Sequence, residues 1–267
     1  MTDCNIVWIL NLSPDSFSDG RSYSLQQLNN RIQELIADGA DLIDVWAEST
    51  APWSKPVDEQ VERQRLQNFL LLIKKYQIAF SLDTTKASIA KEAIEVWVSM
   101  INDVSWGRQD ATMFSLIAET GVKYVLMYSK NPSGRADLKS HIYANIIDTV
   151  INYFHQRLII ATKAWIKHNQ LILDPWMGAF VSSNSQDSIA LLQAIPQIKA
   201  EFHLPIYIGT SRKWFLSELA KDHWPQDRLG SSLASSLYAT TRWANYIRVH
   251  DIHYTRQCLD TRKALER

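Results

Sequence analysis

Apolar and polar positions along the chain fall into two alternating textures. Short apolar runs stand at 6–10 (IVWIL), 42–46 (LIDVW), 78–82 (IAFSL), 98–102 (VSMIN), 123–127 (KYVLM), 171–174 (LILD), 206–209 (IYIG) and 246–250 (YIRVH). Between them lie longer stretches whose apolar residues recur three and four apart, as Leu28, Ile32, Leu35 and Ile36 do, and again Leu66, Leu70 and Ile73. The first texture predicts buried strands and the second amphipathic helices. Helices are expected over 24–40, 57–76, 86–96, 111–121, 141–164, 188–202, 228–244 and 252–266. Eight strand–helix units in 267 residues predict an α/β fold, a (β/α)8 TIM barrel spanning 1–267 as a single domain. A doubly wound open sheet competes, but the even eightfold alternation favours closure.

A barrel of this kind carries its chemistry at the C-terminal ends of its strands and in the loops that follow. The polar residues at those tips are Asn11; Asp44 with Glu48, Ser49 and Thr50; Asp83 with Lys86; Asn102 and Asp103; Tyr128; Asp174; Ser211, Arg212 and Lys213; and Arg248, His250 and Asp251. Any one of them could be a satisfied loop group or a helix cap, and that is the reading for Asp44, Asp103 and Asp251 taken alone. Seven tips bearing carboxylate, amide or cationic groups, brought together by closure, point instead to a binding site.

Composition narrows the ligand. Lys and Arg total 28 and Asp and Glu total 28, so the formal charge is zero, with no global attraction to nucleic acid or anionic membrane. Two cysteines, Cys4 and Cys258, supply neither a disulfide framework nor a metal cluster and suit a reducing compartment. The first residues lack a signal-type pattern, and no apolar run approaches membrane-spanning length. A soluble, cytoplasmic globular protein is the expectation. Walker loops, GxGxxG turns, a His/Cys metal cluster and Ser-His-Asp order are not found, which counts against hydride transfer, P-loop phosphoryl transfer and zinc hydrolysis.

Asp83, Asn102, Asp174 and Lys213 suit a flat polar heterocycle: carboxylates accept from ring N–H and amino groups, Asn both donates and accepts, and Lys donates to a ring carbonyl. Arg248 and His250, beside the Asn11 loop, suit a phosphate or pyrophosphate. Asn11 offers a hard carbonyl oxygen to Mg²⁺, which prefers ligands shared with substrate phosphates.

The ordered series ILNLSPDSFSDG, DVWAEST, SKP, SLDTTK, IND, LMYSK, ILDP, SRK and RVHD resembles the dihydropteroate synthase family from about residue 6 to 255. The resemblance implies a barrel that condenses a pterin bearing a CH2-pyrophosphate with p-aminobenzoate, giving 7,8-dihydropteroate and pyrophosphate. It implies pterin contacts from Asp83, Asn102, Asp174 and Lys213, and a pyrophosphate and Mg²⁺ group of Asn11, Arg248 and His250. It implies a p-aminobenzoate pocket of Phe17, Thr50, Pro52 and Ser211, and a homodimer. Lys213, Asp83, Asp174 and Arg248 are the expected catalytic residues. Pyrophosphate would leave first, and the amine would attack a stabilised pterin cation. A catalytically silent pterin-binding or regulatory paralogue and a pterin-dependent methyltransferase are the alternatives. The methyltransferase has no need of SRK with RVHD.

Departures from the family pattern are Ala51 for an Arg, AFVSSNS (179–185) after Asp174 for a Lys-bearing segment, and Tyr128 for a His. The tryptophans are a sharper anomaly. The chain has 10 Trp and 8 Gly, where usage near 7% predicts roughly 19 Gly. Trp8, Trp46, Trp53, Trp97, Trp106, Trp165, Trp176 and Trp243 align with family glycines; Trp214 and Trp224 do not. Trp97, Trp165 and Trp243 fall where a helix hands over to a strand, a place that commonly requires a left-handed residue. Eight coincidences suggest UGA codons that the organism reads as glycine.

Overall fold

The structure is a computed structural model that describes residues 4–13, 23–49, 54–131, 135–136, 141–221 and 224–266. Strands and helices alternate as the two textures predict. They are β1 (Asn5–Asn11), α1 (Leu25–Ala37), β2 (Leu42–Trp46), α2 (Glu59–Tyr76), β3 (Phe80–Asp83), α3 (Ala87–Ile94), β4 (Met100–Asp103) and α4 (Thr112–Thr120). There follow β5 (Lys123–Met127), α5 (Ile146–Lys163), β6 (Leu171–Asp174), α6 (Ser185–Gln193), α7 (Ile195–Phe202), β7 (Tyr207–Ile208), α8 (Phe215–Ala220), α9 (Leu229–Thr241), β8 (Tyr246–Val249) and α10 (Ile252–Leu265).

All strand pairs are parallel, in the order β6-β5-β4-β3-β2-β1-β8-β7. The ribbon closes on itself through a bridge between Leu173 and Ile206, where the Leu173 N–H also donates to the Pro205 carbonyl at 2.9 Å. Alternate strand residues face opposite sides of the wall. Val7, Leu42, Met100, Val125, Ile172 and Tyr207 fill the lower barrel, while Ile6, Leu10, Ile43, Val45, Leu82, Ile101 and Leu173 pack outward against the helices. Because the lower interior is packed, polar residues facing inward gather at the C-terminal mouth.

Local chemistry starts the helices where side chains can satisfy the free N–H groups. Ser24 and Gln27 form a reciprocal capping box on α1, and Asp58 and Asn145 cap α2 and α5. Leu28, Ile32 and Leu35 are buried as predicted, whereas Ile36 is exposed. The single helix expected over 188–202 is two: Pro196 lacks an N–H to continue the ladder, and α7 restarts with that proline in its first turn. α8, which follows the SRK segment, was not among the expected helices. No helix among the described residues is long and apolar enough to cross a membrane.

Candidate active site

Strand register sets the mouth of the barrel. Asn11 lies beside Trp46, Trp46 beside Asp83, and Asp83 beside Asn102, on neighbouring strands β1 to β4. Asp174 ends β6 and Arg248 lies on β8. Lys213 comes in from the turn after β7, close to the Gly209 backbone and Arg248.

Arg248 is the electrostatic centre. Its Nε lies 2.6 Å from Asp44 Oδ2, and its Nη2 lies 3.9 Å from Asp83 Oδ2. The Ser81 hydroxyl donates to the other Asp44 oxygen. Burial pushes the Asp44 and Asp83 carboxyls up, against the pull of Arg248; at Asp83 the Asp44 charge adds to the rise. Asp44 is therefore not the loop group expected from sequence. It is an inward strand residue that sets the position of Arg248, and its parity with the inward Leu42, two residues before it on β2, is the signal that could reveal it. Tyr207, beneath this cluster, also has a buried hydroxyl without a partner.

Across the mouth, Lys213 and Asp174 are both buried and oppositely charged, without a direct ion-pair contact. Burial lowers the Lys213 ammonium and raises the Asp174 carboxyl, while each one's charge opposes the other's shift. Asp174 Oδ1 accepts the Trp176 N–H at 2.8 Å, but Oδ2 accepts nothing. Lys213 Nζ, and both Nδ2 and Oδ1 of Asn102, are likewise buried without a hydrogen-bond partner. Two indoles cover the cations: Lys213 Nζ lies 3.4 Å from the Trp176 ring centroid, and Arg248 Cζ lies 4.8 Å from that of Trp46.

The remaining tips divide. Asn11 Oδ1 accepts the Ser13 N–H at 2.8 Å, which leaves it a lone pair. Ser211 and His250 are joined at 3.0 Å, so Ser211 is placed by the imidazole. Burial and the charges of Arg212, Arg248 and Lys213 push His250 down to about 3. Arg212 turns away, forking onto Asp251 at 2.6 and 3.1 Å. Asp103 is saturated by Ser105, Gly107 and the Tyr124 hydroxyl, as a structural loop anchor would be. Tyr128 donates to the Tyr143 hydroxyl at 3.2 Å. Lys86 lies 2.6 Å from both Glu48 and the buried Glu62, beside an opening of about 10 Å³ next to Asp83. Phe17, Thr50 and Pro52 lie outside the described residues.

Residues 7–250 match the family described as pterin binding enzyme. The chain is 33% identical over 261 residues to dihydropteroate synthase type-3 of Escherichia coli, covering 97% of this chain and 98% of that one. It is 32% identical over 250 residues to the dihydropteroate synthase of Streptococcus pyogenes, covering 92% and 90%. Among solved structures, the Yersinia pestis dihydropteroate synthase in a sulfonamide drug complex superposes with a TM-score of 0.90 at 30% identity, over 98% of this chain and 94% of that one. The Xanthomonas albilineans enzyme in complex with 7,8-dihydropteroate gives 0.83 at 28%, over 98% and 94%.

Proposed function

The chain belongs to the pterin binding enzyme family, and on that premise we propose that it is a dihydropteroate synthase of folate biosynthesis. In this reading it joins 6-hydroxymethyl-7,8-dihydropterin pyrophosphate to p-aminobenzoate, giving 7,8-dihydropteroate and pyrophosphate. The observation that carries the reading is the set of buried unpaired atoms: Asn102 Nδ2 and Oδ1, Asp174 Oδ2 and Lys213 Nζ. A buried polar group without a partner costs about 1–3 kcal/mol. One planar ligand edge with alternating donors and acceptors, as a pterin has, would satisfy all four.

The same geometry supports a dissociative course. The C–O bond to pyrophosphate breaks with both electrons leaving on oxygen, and the amine nitrogen then attacks the exocyclic carbon and loses its proton. Arg248 and His250 would bind the departing anion, His250 as a neutral donor. Asp83 and Asp174, whose ionised forms burial disfavours, gain most when cationic pterin arrives beside them. No strong general base is required, since the arylamine loses its proton readily after attack.

Asn11 retains a lone pair suited to Mg²⁺, but no group of three or more His, Cys, Asp or Glu that could hold a metal occurs among the described residues. Asn11 therefore fits the ion only as one ligand among substrate oxygens and water. When bound, the ion would neutralise charge on the leaving pyrophosphate. Homodimer assembly, which rests on the resemblance, and a cytoplasmic location, which rests on the sparse cysteines, belong to the same proposal. The small residues of α9 do not support the dimer, because Ser232, Ser235, Ser236 and Ala239 are buried within the chain.

One observation favours the silent-paralogue reading: the indoles of Trp46 and Trp176 stand over the cations that would meet substrate. Steady-state turnover with both substrates and Mg²⁺ decides. Lys213→Ala and Asp83→Asn are each expected to cut turnover at least roughly tenfold, or more than about 1.4 kcal/mol. Near-unchanged kinetics in either variant would refute the site assignment, and pterin binding without turnover would favour the silent paralogue.

A further inference from the structure

Four helices close on one pattern of hydrogen bonds. After α1, the Gly39 N–H donates to the Ile36 carbonyl at 3.1 Å, and the Ala40 N–H reaches back to Leu35 at 3.2 Å. Gly39 has φ +83°. After α3, the same two bonds run from Trp97 to Ile94 and from Val98 to Ala93, both 3.1 Å. After α5, they run from Trp165 to Thr162 and from Ile166 to Ala161, both 3.0 Å. After α9 only the longer bond is made, from Ala244 to Ala239 at 3.1 Å across Trp243. This reversal requires one left-handed residue, which Trp97, Trp165 and Trp243 supply at φ +65°, +65° and +69°.

Glycine is the ordinary occupant of that position because a Cβ crowds the following carbonyl. An indole could be tolerated there if its burial compensated, but these three residues are 68%, 85% and 52% exposed. Trp106 and Trp176 repeat the anomaly in the turns after β4 and β6, both at φ +52°. Trp106 is fully buried with its Nε1 unpaired. Of the nine non-glycine residues with positive φ among those described, five are tryptophan; the others are Gln77, His203, Arg212 and Lys221. Bulky residues are outliers in this region. Trp214 and Trp224, at φ −61° and −105°, are not.

Trp46 has ordinary strand backbone, but its ring fills the barrel mouth beside Arg248 with a buried, unpaired Nε1. Trp8 differs: its Nε1 donates to the His250 carbonyl at 3.2 Å and Arg31 stacks on its ring, so nothing in its setting calls for glycine. Trp53 lies outside the described residues.

We propose that the polypeptide made in its own cell carries glycine at positions 46, 97, 106, 165, 176 and 243, each tryptophan standing for a UGA codon decoded there as glycine. Three helix ends then match the one that Gly39 already closes, and the turns after β4 and β6 lose their strain. The rings over Arg248 and Lys213 disappear together, opening the barrel mouth to a planar ligand. That last consequence and the assignment at position 46 rest on the proposed function; the assignment at the other five rests on their positive φ.

Peptide masses of the protein purified from its own cells test the assignment directly. Glycine at all six positions is the expected result, and tryptophan at any of them overturns it, whatever the turnover. If the peptides carry glycine and pterin still fails to bind, the functional reading falls and this one stands. In recombinant protein, Trp97→Gly, Trp165→Gly and Trp243→Gly should each raise Tm by roughly 2–4 °C. An unchanged or lower Tm in the triple variant would contradict the argument from backbone strain.

Discussion

Lys213 and Arg212 are adjacent cations that do opposite things. Arg212, at φ +58°, forks outward onto Asp251, and this anchor turns Lys213 into the barrel against Asp174. From sequence, SRK shows two equivalent charges; only the turn decides which one faces the ligand. Asp44 was misjudged for a related reason, since a lone aspartate in an apolar run looks like a cap until strand parity places it against Arg248. His250 gives this scale its prediction. Its folded pKa is about 3, against about 6.5 in an unfolded chain. Between those values the unfolded chain binds the extra proton, so this contribution to stability is complete above about pH 6.5 and is lost as pH falls toward 3. His250→Gln should flatten the loss of stability between about pH 7 and 5, measured by urea midpoints. An identical slope in the variant would show that His250 does not titrate in this way. Lys86→Met should destabilise by about 3–5 kcal/mol, because it leaves the buried Glu62 without its cation. A loss within about 0.5 kcal/mol, typical of an unremarkable surface change, would contradict that pairing.

At the scale of elements, the periodicity of apolar residues located the strands to within a residue or two, because burial on both faces leaves few polar options. What it could not show was the break at Pro196, read through as one helix, or α8. The loops carry interactions that no pattern foretold. Arg135, in the β5–α5 connection, lies 3.1 Å from Glu48 Oε1 and donates to the Ser49 and Ser54 carbonyls at 3.1 and 2.6 Å. It thus ties together the two ends of the segment bearing Thr50 and Pro52. Arg135→Ala should raise KM for p-aminobenzoate severalfold while leaving KM for the pterin pyrophosphate near its original value, and Arg135→Lys should recover part of the loss. Equal changes in both constants would show that the tie does not act on that segment.

For the whole molecule, closure turns eight separate polar tips into one site. Asp83 and Asn102 become neighbours through register alone, while Asp174, Lys213 and Arg248 meet them across the mouth. That convergence was legible in the sequence, because eightfold alternation implies a barrel and a barrel implies a common end for the chemistry. The state of the site was legible only in part. The low glycine count and the helix-to-strand position of Trp97 signalled that some tryptophans were out of place, but only backbone angles separate Trp106 or Trp176 from Trp8. The most direct test of the central claim is product stoichiometry with protein isolated from its own cells. Supplied with 6-hydroxymethyl-7,8-dihydropterin pyrophosphate, p-aminobenzoate and Mg²⁺, it should release pyrophosphate and form 7,8-dihydropteroate in equal amounts. Failure to form dihydropteroate from protein that is folded and holds both substrates would contradict the account.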